Sequence, residues 1–148
     1  MSSIKFSERI LVDNSPAVVF DFTQDYSRRL LWDTFLKKAD LLEGAKAAGL
    51  GVKAWCVARN GLGMETEYVS FNRPKATAIK MTRGPYLFKS FLGSWTFKET
   101  GPGQTEIIFL YSFTLRFPFN LFKIAIKKNL SRNVRKRLND LKKSLESH

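Results

Sequence analysis

Arg59 closes the apolar run Val52–Arg59, and Arg83 closes Ala76–Arg83. On one side-chain parity each shares a face with its run's aromatic or aliphatic residues. An arginine on that face can grip a carboxylate, a phenolate or a carbonyl oxygen. Turned the other way, both are strand-end cations in water. Glu65 and Glu67 are two positions apart and so share a face, which suits either acid–base work or a solvated, arginine-paired surface. The sole histidine, His148, is the last residue. Neither a Ser-His-Asp nor a Cys-His site has an imidazole to use, and a histidine-rich metal site is excluded as well. Cys56 is the only cysteine, so no intramolecular disulfide and no thiolate zinc site can form. No metal or cofactor is expected. Any acid–base step falls to carboxylates, tyrosines, lysines or arginines. Gly49-Leu50-Gly51 and Gly61-Leu62-Gly63 lack the Lys-Ser/Thr that would make a phosphate loop.

The elements that would position these groups are legible along the chain. Thr105–Phe117 reads T-E-I-I-F-L-Y-S-F-T-L-R-F, with Ile107, Phe109, Tyr111, Phe113, Leu115 and Phe117 on one face of a strand. Ile4–Val12 alternates as a first strand. Ser15 followed by Pro16 starts a helix carrying Val18, Val19 and Phe22 and ending near Asp25. Ser27 is placed to cap a second short helix through Trp32. Strands are predicted over Ala39–Glu43, Val52–Arg59, Met64–Phe71, Ala76–Arg83 and Phe88–Glu99. Asn60-Gly61, Asn72-Arg73-Pro74, Gly84-Pro85 and Thr100–Gln104 serve as their turns. Short turns between consecutive strands imply an antiparallel sheet. The class is α+β in the order β-α-α-β×6-α, in a single domain over 1–148.

A long helix follows from about Phe119 to Glu146, 28 residues or about 42 Å. Its apolar stripe runs Phe122, Ile126, Leu130, Val134, Leu138, Leu141, Leu145, as expected of a helix following a twisted sheet. A helix of that length must cross the whole sheet, and a curved sheet wrapped round it leaves an apolar chamber. Parity assigns Phe109, Tyr111, Phe113, Phe91, Trp95, Phe97, Thr77, Ile79, Met81 and Arg83 to the chamber wall. Trp55 and Tyr68 join them, Phe122, Ile126 and Leu130 face them from the helix, and Trp32 guards the mouth. The same residues would equally serve as core filling.

Charge is uneven. The chain carries +12, of which Pro118–His148 supplies +7 through nine basic and two acidic residues. Lys123, Lys127, Lys128, Arg132, Arg135 and Lys136 form the helix's basic face. This is either a solvated surface or a docking face for anionic membrane, where each base is worth about 1 kcal/mol. RNA or ribosome contact is the nucleic-acid form of the same argument. The N-terminal M-S-S-I-K-F-S-E-R-I has no long apolar run, so no signal peptide is expected. With one cysteine, that points to a cytoplasmic setting.

The element order, together with D-N-S-P-A-V-V-F-D-F-T-Q-D-Y-S-R-R-L-L-W-D, resembles the helix-grip (SRPBCC) superfamily. Its members include birch-pollen-allergen-like proteins, START lipid-transfer domains and polyketide cyclase/dehydrase-like proteins. The residues carrying the likeness are Ser15-Pro16, Val18-Val19-Phe20, Asp25 and Trp32. Gly93–Phe97 with Thr105–Phe113 looks like the last hairpin of the polyketide cyclase-like branch. The resemblance implies a helix-grip fold with an internal apolar cavity. It also implies binding or transport of a hydrophobic small molecule, such as a lipid, quinone or polyketide. The alternative it implies is an aromatase/cyclase acting by substrate positioning.

Overall fold

A computed structural model describes residues 3–146; His148 lies outside the described residues. The elements are β1 (Ile4–Val12), α1 (Pro16–Gln24), α2 (Arg29–Trp32), β2 (Leu36–Leu41), β3 (Lys53–Ala58), β4 (Gly63–Asn72), β5 (Ala76–Arg83), β6 (Phe88–Gly101) and β7 (Gln104–Leu115). A 3₁₀ turn (Phe119–Phe122) then leads into α3 (Lys123–Glu146). The strands form one antiparallel sheet of seven in the order β1-β7-β6-β5-β4-β3-β2. It curls as a half-barrel around α3, the α+β helix-grip architecture.

Strict alternation drives β7 into the middle of the core. Its inward set, Thr105 to Leu115, is buried at every second residue, and Ile107 and Phe113 are fully inaccessible. Ile107, Phe109, Phe113 and Leu115 each contribute roughly 1.5–3 kcal/mol through burial. β1 pairs along its whole length with β7, from Ile4 opposite Phe113 to Val12 opposite Thr105. Gly93 on β6 sits opposite Tyr111. A Cβ there would come within 3.1 Å of the Tyr111 ring, so the glycine lets the tyrosine lie flat across the sheet.

The helix starts follow local chemistry. Ser15 caps α1, its hydroxyl accepting from the Val18 N–H at 3.4 Å, and Pro16 occupies the first turn. Ser27 does not cap α2. Its hydroxyl donates instead to Asp25 at 2.6 Å, and Arg28 takes the cap position without a side-chain bond. β2 runs Leu36–Leu41 rather than Ala39–Glu43, because its pairing with β3 begins at Leu36 opposite Ala58. β7 ends at Leu115, just before Arg116-Phe117-Pro118, where the proline lacks the N–H that pairing needs. The α-helix begins at Lys123 instead of Phe119, since the chain first makes the tighter 3₁₀ turn.

Candidate functional site

The two halves of α3 meet the sheet differently. Val134, Leu138, Leu141 and Leu145 are buried in the core. Ile126 and Leu130 point the same way but stay half-buried, and Ala125 is exposed. The first half of the helix therefore stands off the sheet and leaves a cavity of about 410 Å³. That volume lies in the range of roughly 300–1,000 Å³ that holds drug-sized molecules. Exposed Asn60 and Leu62 of the β3–β4 turn and Ala125 and Asn129 of α3 lie at its mouth.

Of the residues assigned to the wall by parity, Tyr68, Ile79, Phe91, Trp95, Phe109, Tyr111, Ile126 and Leu130 border this cavity. The others do not. Trp32 is buried behind the wall, edge-on to Trp95 at 6.1 Å, and does not guard the mouth. Phe97 and Phe113 fill solid core; Phe97 packs against Phe20 and Trp95, and Phe113 against Phe6, Phe88 and Phe91. Thr77 is buried core and Met81 packs on the core's edge, neither bordering the cavity. Trp55 belongs to the other face of β3, whose cavity-facing residues are Cys56 and Ala58. Phe122 is exposed in the 3₁₀ turn, ahead of the helical stripe.

Arg59 and Arg83 are not anchors in the cavity. The Arg59 Nε–H donates to the Thr34 carbonyl at 2.6 Å, tying β3 to the loop before β2. Arg83 is turned by a β-bulge. Thr66 pairs with Met81, but the next residue back, Glu65, pairs with Arg83. The extra residue, Thr82, reverses the parity, so Arg83 stands opposite Glu65 and away from the cavity. Glu65 meanwhile accepts from the Thr82 hydroxyl at 2.7 Å. Neither Glu65 nor Glu67 borders the cavity.

The wall instead carries two arginines that parity counting does not select. Arg29 of α2 and Arg137 of α3 both border the cavity and are both buried. They share Asp33, a carboxylate with 0% exposure. Arg29 Nε donates to Oδ2 at 2.9 Å; Arg137 donates from Nε to Oδ1 at 3.0 Å and from Nη2 to Oδ2 at 2.7 Å. Arg137 Nη1 also donates to the Tyr111 hydroxyl at 2.9 Å. Burial alone would raise the Asp33 carboxyl, but Arg137 and Arg29 outweigh it and hold it below the usual carboxylate range. Nearby, the Tyr68 hydroxyl donates to Gln24 Oε1 at 2.6 Å. Burial pushes the hydroxyls of Tyr26 and Tyr68 and the Cys56 thiol above their ordinary values, so all three face the cavity uncharged at neutral pH.

Each of these arginines leaves a trace in the sequence. Arg137 lies between Val134 and Leu138, on the buried stripe of α3, where an arginine must find a partner. Asp33 lies four residues after Arg29, the spacing of a helical ion pair. The wall can therefore donate hydrogen bonds and hold charge. Among the described residues it contains no carboxylate or imidazole; its titratable groups are tyrosines, Cys56 and the two arginines. No described group of three or more His, Cys, Asp or Glu is placed to hold a metal ion.

A family described as polyketide cyclase / dehydrase and lipid transport matches residues 3–146. No curated protein matches the chain significantly. Among solved structures, a protein from Thermus thermophilus is similar with a TM-score of 0.82 at 15% identity, covering 97% of this chain and 98% of that one. The Zhui aromatase/cyclase from a Streptomyces species superposes with a TM-score of 0.83 at 14% identity, covering 97% and 94%. A START superfamily protein from Mycobacterium smegmatis gives 0.76 at 13% identity, covering 95% and 98%. At such identities the likeness speaks for the fold.

Proposed function

Since the chain belongs to the polyketide cyclase / dehydrase and lipid transport family, we propose that it binds and carries a hydrophobic small molecule in the cavity beneath α3. The observation that carries this reading is the 410 Å³ space itself, walled by Phe91, Trp95, Phe109 and Ile79. Apolar surface around a preformed space gains by filling it, while rigid aromatics lose little freedom in doing so. The fluorescent hydrocarbon-like amine N-phenyl-naphthylamine tests it. Wild type should bind this dye with micromolar affinity or better. Ile126→Trp fills the half of the space nearest the mouth, so it should weaken binding at least about tenfold. Its melting temperature should move little, because Ile126 is only half-buried. Equal binding by both proteins, or none by wild type, would refute the reading.

An aromatase/cyclase is the other use of the same space. Arg137 and the Tyr111 hydroxyl, which accepts from Arg137 and keeps its own O–H, bring hydrogen-bond donors to its wall. A cyclase of this kind would act by holding a flexible chain folded, since a positioned geometry alone can supply much of a barrier. Incubation with a linear poly-β-ketone, followed by mass spectrometry, decides; product ratios unchanged from buffer would retire the idea.

The basic helix supports a further step, loading from an anionic bilayer. Phe117, Leu121, Phe122 and Ile124 are exposed by 69, 67, 59 and 67%. They are interleaved with exposed Lys123, Lys127 and Lys128 and lead directly into Ala125 and Ile126 at the cavity mouth. Apolar side chains fringed by lysines suit the headgroup boundary. The rest of the face is less available. Arg135 pairs with Glu8 at 3.2 Å, and Lys136 with Asp140 at 2.9 Å; Arg132 is exposed. Sedimentation with phosphatidylglycerol vesicles should show salt-sensitive binding. Phe122→Ser with Ile124→Ser should weaken it at least about tenfold. Binding to RNA but not to vesicles would transfer the surface to nucleic acid.

A further inference from the structure

We propose that the cavity selects a ligand with a single negative head group, seated against Arg29 and Arg137. This rests on the ligand-carrying reading above and goes beyond it by naming the ligand's charge. Two guanidiniums share one carboxylate, so the cluster of Arg29, Asp33 and Arg137 bears an excess positive charge. Both arginines border the cavity, and among the described residues no Asp, Glu or Lys borders it with them. The cavity-facing Tyr26, Tyr68 and Cys56 do not supply the missing negative charge at neutral pH.

An uncompensated charge in an apolar wall is costly, and the cost falls when a counter-charge sits against it. A purely structural ion pair would need only one arginine for Asp33. Arg137 grips both oxygens of that carboxylate, so it alone would satisfy the pair. Arg29 adds only its Nε–H. Its guanidinium lies over the Tyr26 ring at 5.6 Å and the Trp32 ring at 5.0 Å, at the cavity edge. The two arginines spend four of their ten N–H donors on Asp33 and Tyr111, and Arg29 also reaches the Tyr26 hydroxyl, so several donors are left for a ligand. Planar N–H donors match a carboxylate, sulfonate or enolate. The apolar wall of Phe91, Trp95 and Phe109 then takes the body of the same molecule.

Two dyes that differ by one charge separate this proposal from the cavity reading. Anilinonaphthalene sulfonate carries a sulfonate on the rings that N-phenyl-naphthylamine presents without one. Wild type should bind the sulfonate at least about tenfold tighter, the size of a charge-assisted hydrogen bond. Arg29→Met leaves Arg137 and Asp33 as a neutral pair, so it should bring the ratio of the two affinities close to one. A variant with Lys123, Lys127 and Lys128 replaced by alanine should keep the full preference. If the preference vanishes there and survives Arg29→Met, the charge is read outside and the proposal fails. Equal wild-type affinities overturn the anion site while the cavity reading stands; no binding of either dye overturns both. Should Arg29→Met fail to fold, displacement of the neutral dye from wild type by dodecanoate and by dodecanol makes the same distinction. Dodecanoate should be the stronger competitor, and equal competition refutes the site.

Discussion

Asp33→Ala should cost about 3–5 kcal/mol of folding stability, because it strands two buried guanidiniums without their shared carboxylate. That corresponds to a fall in melting temperature on the order of 10 °C for a chain of this size. Urea or thermal unfolding measures it; a loss under about 1 kcal/mol would mean that the cluster is not a buried ion network. Acid should show the same dependence. The folded-state pKa of Asp33 is depressed, so its contribution is complete above the ordinary carboxylate value. It is lost progressively as pH falls through that value toward the folded pKa. Asp33→Asn has no carboxyl to titrate and should lack this share of the acid sensitivity, with a flatter stability curve below about pH 4.

The second large effect is expected at Trp95. Its ring stacks on Phe97 at 6.0 Å and meets Phe109 edge-on at 4.3 Å and Trp32 at 6.1 Å, while one side faces the cavity. Trp95→Ala should lose about 3–5 kcal/mol, since both the transfer of the ring from water and its packing disappear. The space it vacates joins the cavity. The variant should therefore admit bulkier dyes than wild type, read as a shift in size preference across a series of ring-extended naphthylamines. A stability loss under about 1 kcal/mol, or an unchanged size preference, would show that Trp95 is not a partition between core and cavity.

The extent to which the molecule could be read from its residues depends on the range of the signal. β7 was legible because its period-two alternation runs unbroken from Thr105 to Leu115. The second half of α3 was legible because Val134, Leu138, Leu141 and Leu145 keep one buried face. Arg83 was misplaced by the bulge at Thr82, which parity counting cannot see and which depends on the pairing of β4 with β5. Trp55 and Trp32 were misplaced because an aromatic side chain suits a cavity, a core or an outer sheet face equally well. The arginine cluster draws Arg29 and Asp33 from α2 and its end, and Arg137 from α3, over a hundred residues later. Arg28, next to Arg29, has the same chemistry yet pairs at the surface with Asp25. Only the docking of α3 on α2 distinguishes the two.

The pairing of β1 with β7 fixes when, as well as where, the cavity can exist. Ile4 waits for Phe113 and Val12 for Thr105, so β1 leaves a ribosome about a hundred residues ahead of its only strand neighbour among the described residues. Contacts so distant in sequence are slow to form and favour late, concerted closure. α3 follows later still, and without it the cavity has no roof. An enclosed interior is thus a property of the docked helix: a chain that stops short of α3 holds no half-built pocket.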